Sequence, residues 1–191
     1  MNKTALSKTS MDGDVESVLL NEKEIDEMLE RIGAEISRDY EGRNLLLVCI
    51  LKGSILTMAD LMRKITIPCS IEFMVVSSYG SETKSSGVVK IVKDLDCALE
   101  KFDVLLVEDI LDSGRTLSYL KKFLGNRNPR SLKICTLLDK PAHRAEGIEL
   151  VPDYVGCEIP DGFVVGYGLD YDEKYRNLPY IGILKESVYT K

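Results

Sequence analysis

Residues 108–116 carry the side chains with the clearest chemical use in this sequence. Glu108 and Asp109 directly follow an apolar run, where carboxylates are costly unless a partner pairs with them. The small and polar residues 113–116 then open a predicted helix, and backbone N–H groups and hydroxyls at a helix N-terminus bind anions. Acids for sugar hydroxyls or a metal, beside a phosphate cradle, indicate a site for a phosphorylated sugar. The alternative is a capped helix start with solvated acids.

Two further loops, Lys52–Ser54 and Asp139–Arg144, also leave predicted strands. Ligands in open α/β sheets bind at the carboxyl ends of the strands, so we expect these loops to lie beside residues 108–116. The stretch 77–87 is small, polar and flanked by glycine, which predicts a long loop. Long loops in compact domains often serve as lids.

The apolar pattern predicts alternating strands and helices. Helical spacing predicts a helix over Glu22–Tyr40, a second after Ser54 and a third after Thr116. Continuous apolar runs of strand length are typical of parallel strands buried on both faces. Runs of this kind are Leu45–Leu51, Val104–Val107 and Leu132–Leu138. Two further predicted strands, Ile71–Val76 and Val88–Val92, flank the long loop.

This alternation predicts an α/β fold with a mostly parallel central sheet flanked by helices. The 191 residues suffice for one domain with a small appended lobe. The tail from Tyr154 onward is rich in Gly, Tyr and Asp, which predicts short strands and loops over the sheet edge. We therefore predict a single domain over residues 1–191, with a core at about 40–145 and a lobe from the N-terminal segment and about 150–191.

Composition excludes several classes of protein. The net charge of −6 and the pI near 5.0 argue against nucleic-acid binding, which normally needs a basic face. The five cysteines form no C-x-x-C pair, so neither a disulfide framework nor a zinc site is expected, and the reducing cytoplasm is the predicted location. The longest apolar run, Leu45–Leu51, is too short to span a bilayer, so no membrane partner is expected.

Four segments resemble known motifs of one family. Val104–Leu117 resembles the phosphoribosyl-pyrophosphate signature of type I phosphoribosyltransferases, and Leu51–Ser54 is similar to their pyrophosphate loop. Ser78-Tyr79 is similar to the start of their catalytic lid. Residues 161–171 and 175–179 resemble the base-binding hood of the hypoxanthine-guanine branch. The resemblance covers about residues 20–185 in the family's order, and Lys140 with the hood indicates the 6-oxopurine branch.

The resemblance implies how the phosphoribosyl donor is bound. Glu108 and Asp109 are implied to engage the ribose hydroxyls and Mg²⁺, with Asp170 at a second Mg²⁺. The implied ligands of the phosphate and pyrophosphate are Lys52, Gly53, Ser113, Gly114, Arg115, Thr116 and Arg176. The family also implies a cis peptide before Lys52.

The resemblance further implies transfer of a phosphoribosyl group to a purine. Asp112 is implied as general base or acid at purine N7, although it could instead cap the following helix. Lys140 is implied to donate to purine O6, which favours hypoxanthine or guanine over adenine. The other implied contacts are the lid residues Ser78 and Tyr79 and the base-binding residues Phe163, Val164 and Asp170.

Three alternatives remain beside this hypothesis: a xanthine-preferring enzyme, a pyrimidine-specific enzyme and a regulatory relative that binds phosphoribosyl pyrophosphate without turnover. The hood argues against a pyrimidine. His143, the single histidine, lies in a polar turn and is interpreted as a solvated loop residue. The family implies a homodimer or homotetramer.

Overall fold

Two sheets and four α-helices make up the described part of the chain, which a computed structural model gives as residues 11–78 and 89–190. Short 3-10 helices lie at Asp12–Asp14 and Pro141–His143. The helices are α1 (Glu22–Asp39), α2 (Ile55–Lys64), α3 (Arg115–Gly125) and α4 (Glu186–Tyr189). The strands are β1 (Val15–Leu20), β2 (Leu45–Leu51), β3 (Cys69–Ser78), β4 (Val89–Lys93), β5 (Asp103–Leu111), β6 (Ser131–Asp139), β7 (Tyr154–Glu158), β8 (Val164–Val165) and β9 (Ile181–Leu184).

The central sheet has six strands in the order β4-β3-β2-β5-β6-β7. All neighbours pair in parallel except β3 and β4, which are antiparallel. The predicted α/β fold with a mostly parallel sheet is confirmed. Strand β7 pairs with β6 and so belongs to this sheet, rather than to the small lobe predicted for the tail from Tyr154.

Strand β2 is buried on both faces, as its continuous apolar run predicts. Its odd-numbered residues Leu45, Leu47 and Cys49 pack into one core cluster with α1 and α2. Its even-numbered residues pack into a second cluster on the other face, with α3. Successive side chains of a strand point to opposite faces, so one apolar run supplies both cores.

Helix α1 begins at a capping box. The Asn21 side chain accepts from the backbone N–H of Glu24, whose carboxylate accepts from the Asn21 N–H at 2.8 Å. The buried face of α1 carries Ile25, Leu29 and Ile32 at helical spacing. No helix in residues 11–78 or 89–190 is long and apolar enough to cross a membrane.

The second sheet is antiparallel, has the order β1-β9-β8, and forms a small lobe from both ends of the chain. The N-terminal segment is tied down by two tyrosines: Tyr175 donates to Asp14 at 2.9 Å and Tyr180 donates to Asp12 at 2.6 Å. Strand β1 has no counterpart among the predicted elements. Tyr167 of this lobe donates to Asp60 of α2 at 2.6 Å, which fastens the lobe to the core.

The order of the central strands creates a crevice between the ends of β2 and β5. The chain runs from β2 outward to β3 on one side, and from β5 outward to β6 and β7 on the other. The loops that leave β2 and β5 therefore diverge at a topological switch point, where open α/β sheets bind ligands.

Candidate active site

Strand β5 continues through Leu111, so Glu108 and Asp109 lie within the strand and not in the loop where the sequence places them. Pairing with β6 persists to Leu111↔Asp139, which extends the strand past the acids. Adjacent strand residues point to opposite faces. Glu108 lines the cavity at the start of α3, whereas Asp109 lies against Gly53 on the other face.

Burial dominates the electrostatics of both acids. Burial, with a smaller contribution from the negative charge of Asp109, raises the pKa of Glu108 well above its ordinary value. Burial also raises the pKa of Asp109 to about 6, although the backbone N–H of Ile110 donates to its carboxylate at 2.8 Å. One oxygen of Glu108 is buried with no hydrogen-bond partner among the described residues. Burial therefore disfavours the charged form of both side chains, and the hydrogen bond to Asp109 offsets only part of this cost.

The turn after β2 fits closely against Asp109. A Cβ atom on Gly53 would lie 1.8 Å from the Oδ2 atom of Asp109, so only glycine fits here. The peptide between Leu51 and Lys52 is cis. Lys52 is exposed and its ammonium group contacts both carboxylate oxygens of Glu173 at 3.1 Å.

The start of α3 forms a cradle. Gly114 is the N-cap residue, with a left-handed φ of +78°, and the Ser113 hydroxyl accepts from the backbone N–H of Arg115 at 3.5 Å. Asp112 therefore does not act as the cap of α3. A cavity of about 90 Å³ opens here, and its lining includes Glu108, Ser113, Gly114 and Thr116. Arg115 is the first residue of α3 and is exposed.

A second cavity, of about 180 Å³, lies between the end of the central sheet and the small lobe. Apolar and polar side chains both line it, which suits a heteroaromatic ring. Its lining residues are Ile110, Asp112, Lys140, Gly162, Phe163, Val164, Leu169 and Asp170. Four of the predicted base-binding residues, including Val164 of β8, are thus brought together with Asp112.

Two residues of this cavity have well-defined supports. Lys140 is buried, at 6% exposure, and its ammonium group donates to the carbonyl oxygen of Gly162 at 3.0 Å. Phe163 is 37% exposed and presents a ring to the cavity. Tyr189 stacks on this ring at 5.2 Å between centroids, and Tyr171 meets it edge-on at 5.4 Å. These tyrosines hold the ring in place.

Comparison with known proteins identifies the family. The model of the phosphoribosyl transferase domain matches residues 17–172. The chain belongs to this family. It is 52% identical over 179 residues to the hypoxanthine-guanine phosphoribosyltransferase of Bacillus subtilis, covering 94% of this chain and 98% of that relative. A solved structure of a hypoxanthine phosphoribosyltransferase from Staphylococcus aureus is similar at a TM-score of 0.92 and 48% identity, covering 97% of this chain and 100% of that one.

One group of relatives is much longer than this chain. The bifunctional protein TilS/HprT of Listeria monocytogenes is 52% identical over 182 residues, which covers 95% of this chain. The chain spans only 28% of the length of that relative. The family and the fold inferred from the motifs are confirmed by these comparisons.

Arg144 of the phosphoribosyltransferase domain links two loops of the site, although the motifs did not single it out. Arg144 donates to the carbonyl oxygens of Leu111, Asp112 and Lys140 and contacts the carboxylate of Asp139. It therefore ties the loop after β5 to the loop after β6. The sequence analysis placed Arg144 in a predicted ligand loop, but most of its hydrogen bonds go to backbone carbonyl oxygens, which leave no pattern in the sequence.

His143 was interpreted as a solvated loop residue, and the structure places it between two carboxylates. Its Nδ1 lies 3.3 Å from Asp112 and its Nε2 lies 2.7 Å from Asp161. Desolvation acts to raise the pKa of Asp161, but the hydrogen bond and charge of His143, with smaller contributions from the Gly162 N–H and Lys140, hold that pKa below its usual value. Asp161 lies 18 residues away in sequence, so spacing could not predict this contact.

The remaining predicted residues are placed as follows. Arg176 contacts Asp170 at 2.9 Å and donates to the carbonyl oxygen of Gly168 at 2.8 Å, while its Nε is buried with no partner among the described residues. Ser78 is the last residue of β3. Tyr79 and the rest of the predicted lid lie outside the described residues.

The carboxylates of this site fit a Mg²⁺ ion whose other ligands come from the substrate. Within residues 11–78 and 89–190, no three His, Cys, Asp or Glu side chains converge as an all-protein metal cage would need. Mg²⁺ usually takes one or two carboxylates and completes its shell with water and substrate phosphates. The unpartnered oxygen of Glu108 and the raised pKa of Asp109 fit the arrival of a cation or of hydroxyl donors.

Proposed function

We propose that this chain is a purine salvage enzyme. It transfers the 5-phosphoribosyl group from phosphoribosyl pyrophosphate to N9 of hypoxanthine or guanine, giving the nucleotide and pyrophosphate. The observation that carries the proposal is one cavity that joins Asp112, Lys140 and Phe163 and lies next to the cradle at the start of α3. The names of the relatives support the same reaction.

The base lies in the cavity of about 180 Å³, between Ile110 and Phe163. Lys140 donates to O6 of the purine, a role supported by the bond that its ammonium group makes to the Gly162 carbonyl beside the cavity. Adenine offers a donor at that position, and two donors cannot pair. The backbone of Val164 meets the edge of the base, and Asp170 lines the same cavity as Lys140.

The phosphoribosyl donor extends from the base cavity to the cradle at α3. Ser113, Gly114 and Thr116 hold its 5′-phosphate, with Arg115 beside them, because free N–H groups and hydroxyls at a helix N-terminus favour an anion. Glu108 and Asp109 accept from the ribose hydroxyls. Lys52, the Gly53 backbone and Arg176 contact the pyrophosphate.

Mg²⁺ beside Glu108 and Asp109, with a second Mg²⁺ at Asp170, would supply neutralising charge to the pyrophosphate leaving group. Asp112 holds or takes the proton at N7 while N9 attacks the anomeric carbon. Neighbouring carboxylates stabilise the positive charge that develops on the ribose. The lid that begins at Ser78 and Tyr79 excludes water, which would otherwise hydrolyse the activated sugar.

Location and assembly belong to the same proposal. All five cysteines are free thiols, which supports the reducing cytoplasm as the working compartment. The chain is predicted to form a homodimer or homotetramer, and light scattering would measure which. Neither nucleic acid nor a membrane is proposed as a partner.

Substitution of Asp112 tests the mechanism. Asp112→Ala should lower kcat by about 10²–10⁴-fold, because a positioned general base is lost, and should leave the Kd for phosphoribosyl pyrophosphate close to that of the unchanged protein. Glu149→Ala, an exposed carboxylate outside both cavities, is the matched control and should keep full activity. Full activity of Asp112→Ala would overturn the role given to this residue.

A further inference from the structure

His143 stands on the 3-10 turn after β6 with a carboxylate at each ring nitrogen. The Nδ1 atom is 3.3 Å from Oδ1 of Asp112, and the Nε2 atom is 2.7 Å from Oδ1 of Asp161. The three side chains line one cavity beside Lys140 and Phe163. A protonated imidazole donates from both nitrogens, whereas the neutral ring donates from one, so the protonated ring matches both carboxylates at once.

The backbone makes this contact a fixed feature. The N–H of His143 donates to the carbonyl of Lys140 at 3.0 Å, which closes the 3-10 turn. The next residue, Arg144, donates to the carbonyl of Asp112 at 2.6 Å, and the N–H of Ala145 donates to the carbonyl of Ser113 at 3.0 Å. The two residues that follow His143 therefore join its turn to the loop that carries Asp112.

The carboxylate of Asp112 has few other constraints. It is half exposed, at 50%, and it does not cap α3. Within the described residues, His143 makes the one ion-pair contact to this carboxylate. That contact is to Oδ1, which leaves Oδ2 for another partner. An exposed aspartate without such a contact samples several rotamers, and the geometry needed for proton transfer would be occupied for only part of the time.

We propose that His143, held in place by Asp161, positions the Asp112 carboxylate against the purine. The inference rests on the proposed function, since it needs Asp112 to act on the base. His143 acts through Asp112 and does not touch the substrate, so it is a positioning residue. Its loss should change the chemical step more than the binding of either substrate.

The test is steady-state kinetics of His143→Ala and His143→Gln with hypoxanthine. His143→Ala should lower kcat about tenfold while KM for both substrates changes less than about twofold. His143→Gln keeps an amide donor near Asp112 and should recover part of the lost kcat. Glu146→Ala, an exposed residue three positions along the same loop, is the matched control and should match the unchanged protein.

A double-mutant cycle shows whether His143 acts through Asp112. His143→Ala should have almost no effect when Asp112 is already alanine, because the carboxylate it positions is gone. An equal loss of kcat in both backgrounds would overturn the proposal, and so would unchanged kcat in His143→Ala alone. If the unchanged protein turned over no 6-oxopurine, the proposed function would fail, and this inference with it. The cycle in an active enzyme tests the inference separately.

Discussion

Glu108 and Asp109 favour ligand binding but lower the stability of the unliganded protein. Both carboxylates lie in surroundings that disfavour their charged forms, and one oxygen of Glu108 has no hydrogen-bond partner in the part of the chain that the structure describes. A ligand that brings hydroxyl groups or a cation would supply the missing partners. Binding of that ligand would therefore offset the free-energy cost of burying the two carboxylates. The unliganded domain should therefore be less stable at neutral pH than its core alone would allow.

The pH dependence of unfolding measures this cost at Asp109. Its pKa is about 6 in the fold and 3.8 as the ordinary value, so the folded state binds the proton more tightly. The stability that this group contributes is full below about pH 4 and is lost as pH rises through about 6, by roughly 3 kcal/mol at most. Asp109→Asn should remove that loss, and urea unfolding of both unliganded proteins between pH 4.5 and 7.5 checks it.

Glu108 is present in both proteins, so the difference between the two curves reports position 109 together with its smaller effect on the pKa of Glu108. Asp109→Asn should be the more stable protein at pH 7 and should bind phosphoribosyl pyrophosphate more weakly. Parallel curves for the two proteins would show that Asp109 is not buried as described.

The types of the site residues were predictable from sequence, but their contacts were less so. Adjacent acids after an apolar run and small residues before a helix pointed to residues 108–116. The contact of His143 with Asp161 joins two loops that follow different strands, and the bonds of Arg144 go to carbonyl oxygens that every residue has. Neither kind of contact leaves a spacing pattern in the sequence.

At the scale of elements, the turn after β2 and the end of β5 interlock. Gly53 lies against Asp109 so closely that a Cβ atom would meet the carboxylate at 1.8 Å. Gly53→Ala should therefore push the turn away from the end of β5, lower the free energy of unfolding by about 1–3 kcal/mol and weaken binding of phosphoribosyl pyrophosphate. Thermal unfolding and isothermal titration with phosphoribosyl pyrophosphate and Mg²⁺ measure the two effects.

Gly125→Ala is the matched control for this substitution. Gly125 is the last residue of α3, and a Cβ atom there would have its nearest neighbour at 4.0 Å, an ordinary contact. Alanine at a helical position costs less backbone entropy than glycine, so this variant should be as stable as the unchanged protein or slightly more so. Equal stability of both variants would contradict the interlock.

Continuous apolar runs predicted β2, β5 and β6, since strands buried on both faces need such runs. The end of β5 was placed too early because the apolar run stops at Val107 while hydrogen bonding to β6 continues. Strand β1 was missed because three of its six residues are exposed and it pairs with β9 at the far end of the chain. Pairing between distant segments cannot be derived from local pattern alone.

At the scale of the whole molecule, the base cavity lies where two structural units meet. The central sheet supplies Ile110, and the loops that follow β5 and β6 supply Asp112 and Lys140. The small lobe supplies Phe163 and Val164. The first unit could be predicted from apolar pattern, whereas the lobe was recognised by its resemblance to a known hood and is built from both ends of the chain.

Nucleotide formation from phosphoribosyl pyrophosphate and Mg²⁺ tests the central claim most directly, with hypoxanthine, guanine, xanthine, adenine and uracil compared side by side. We predict turnover with hypoxanthine and guanine and none with adenine or uracil, because Lys140 offers a donor to O6 at a purine-sized cavity. Binding of phosphoribosyl pyrophosphate without turnover of any base would contradict this account and would indicate a regulatory relative.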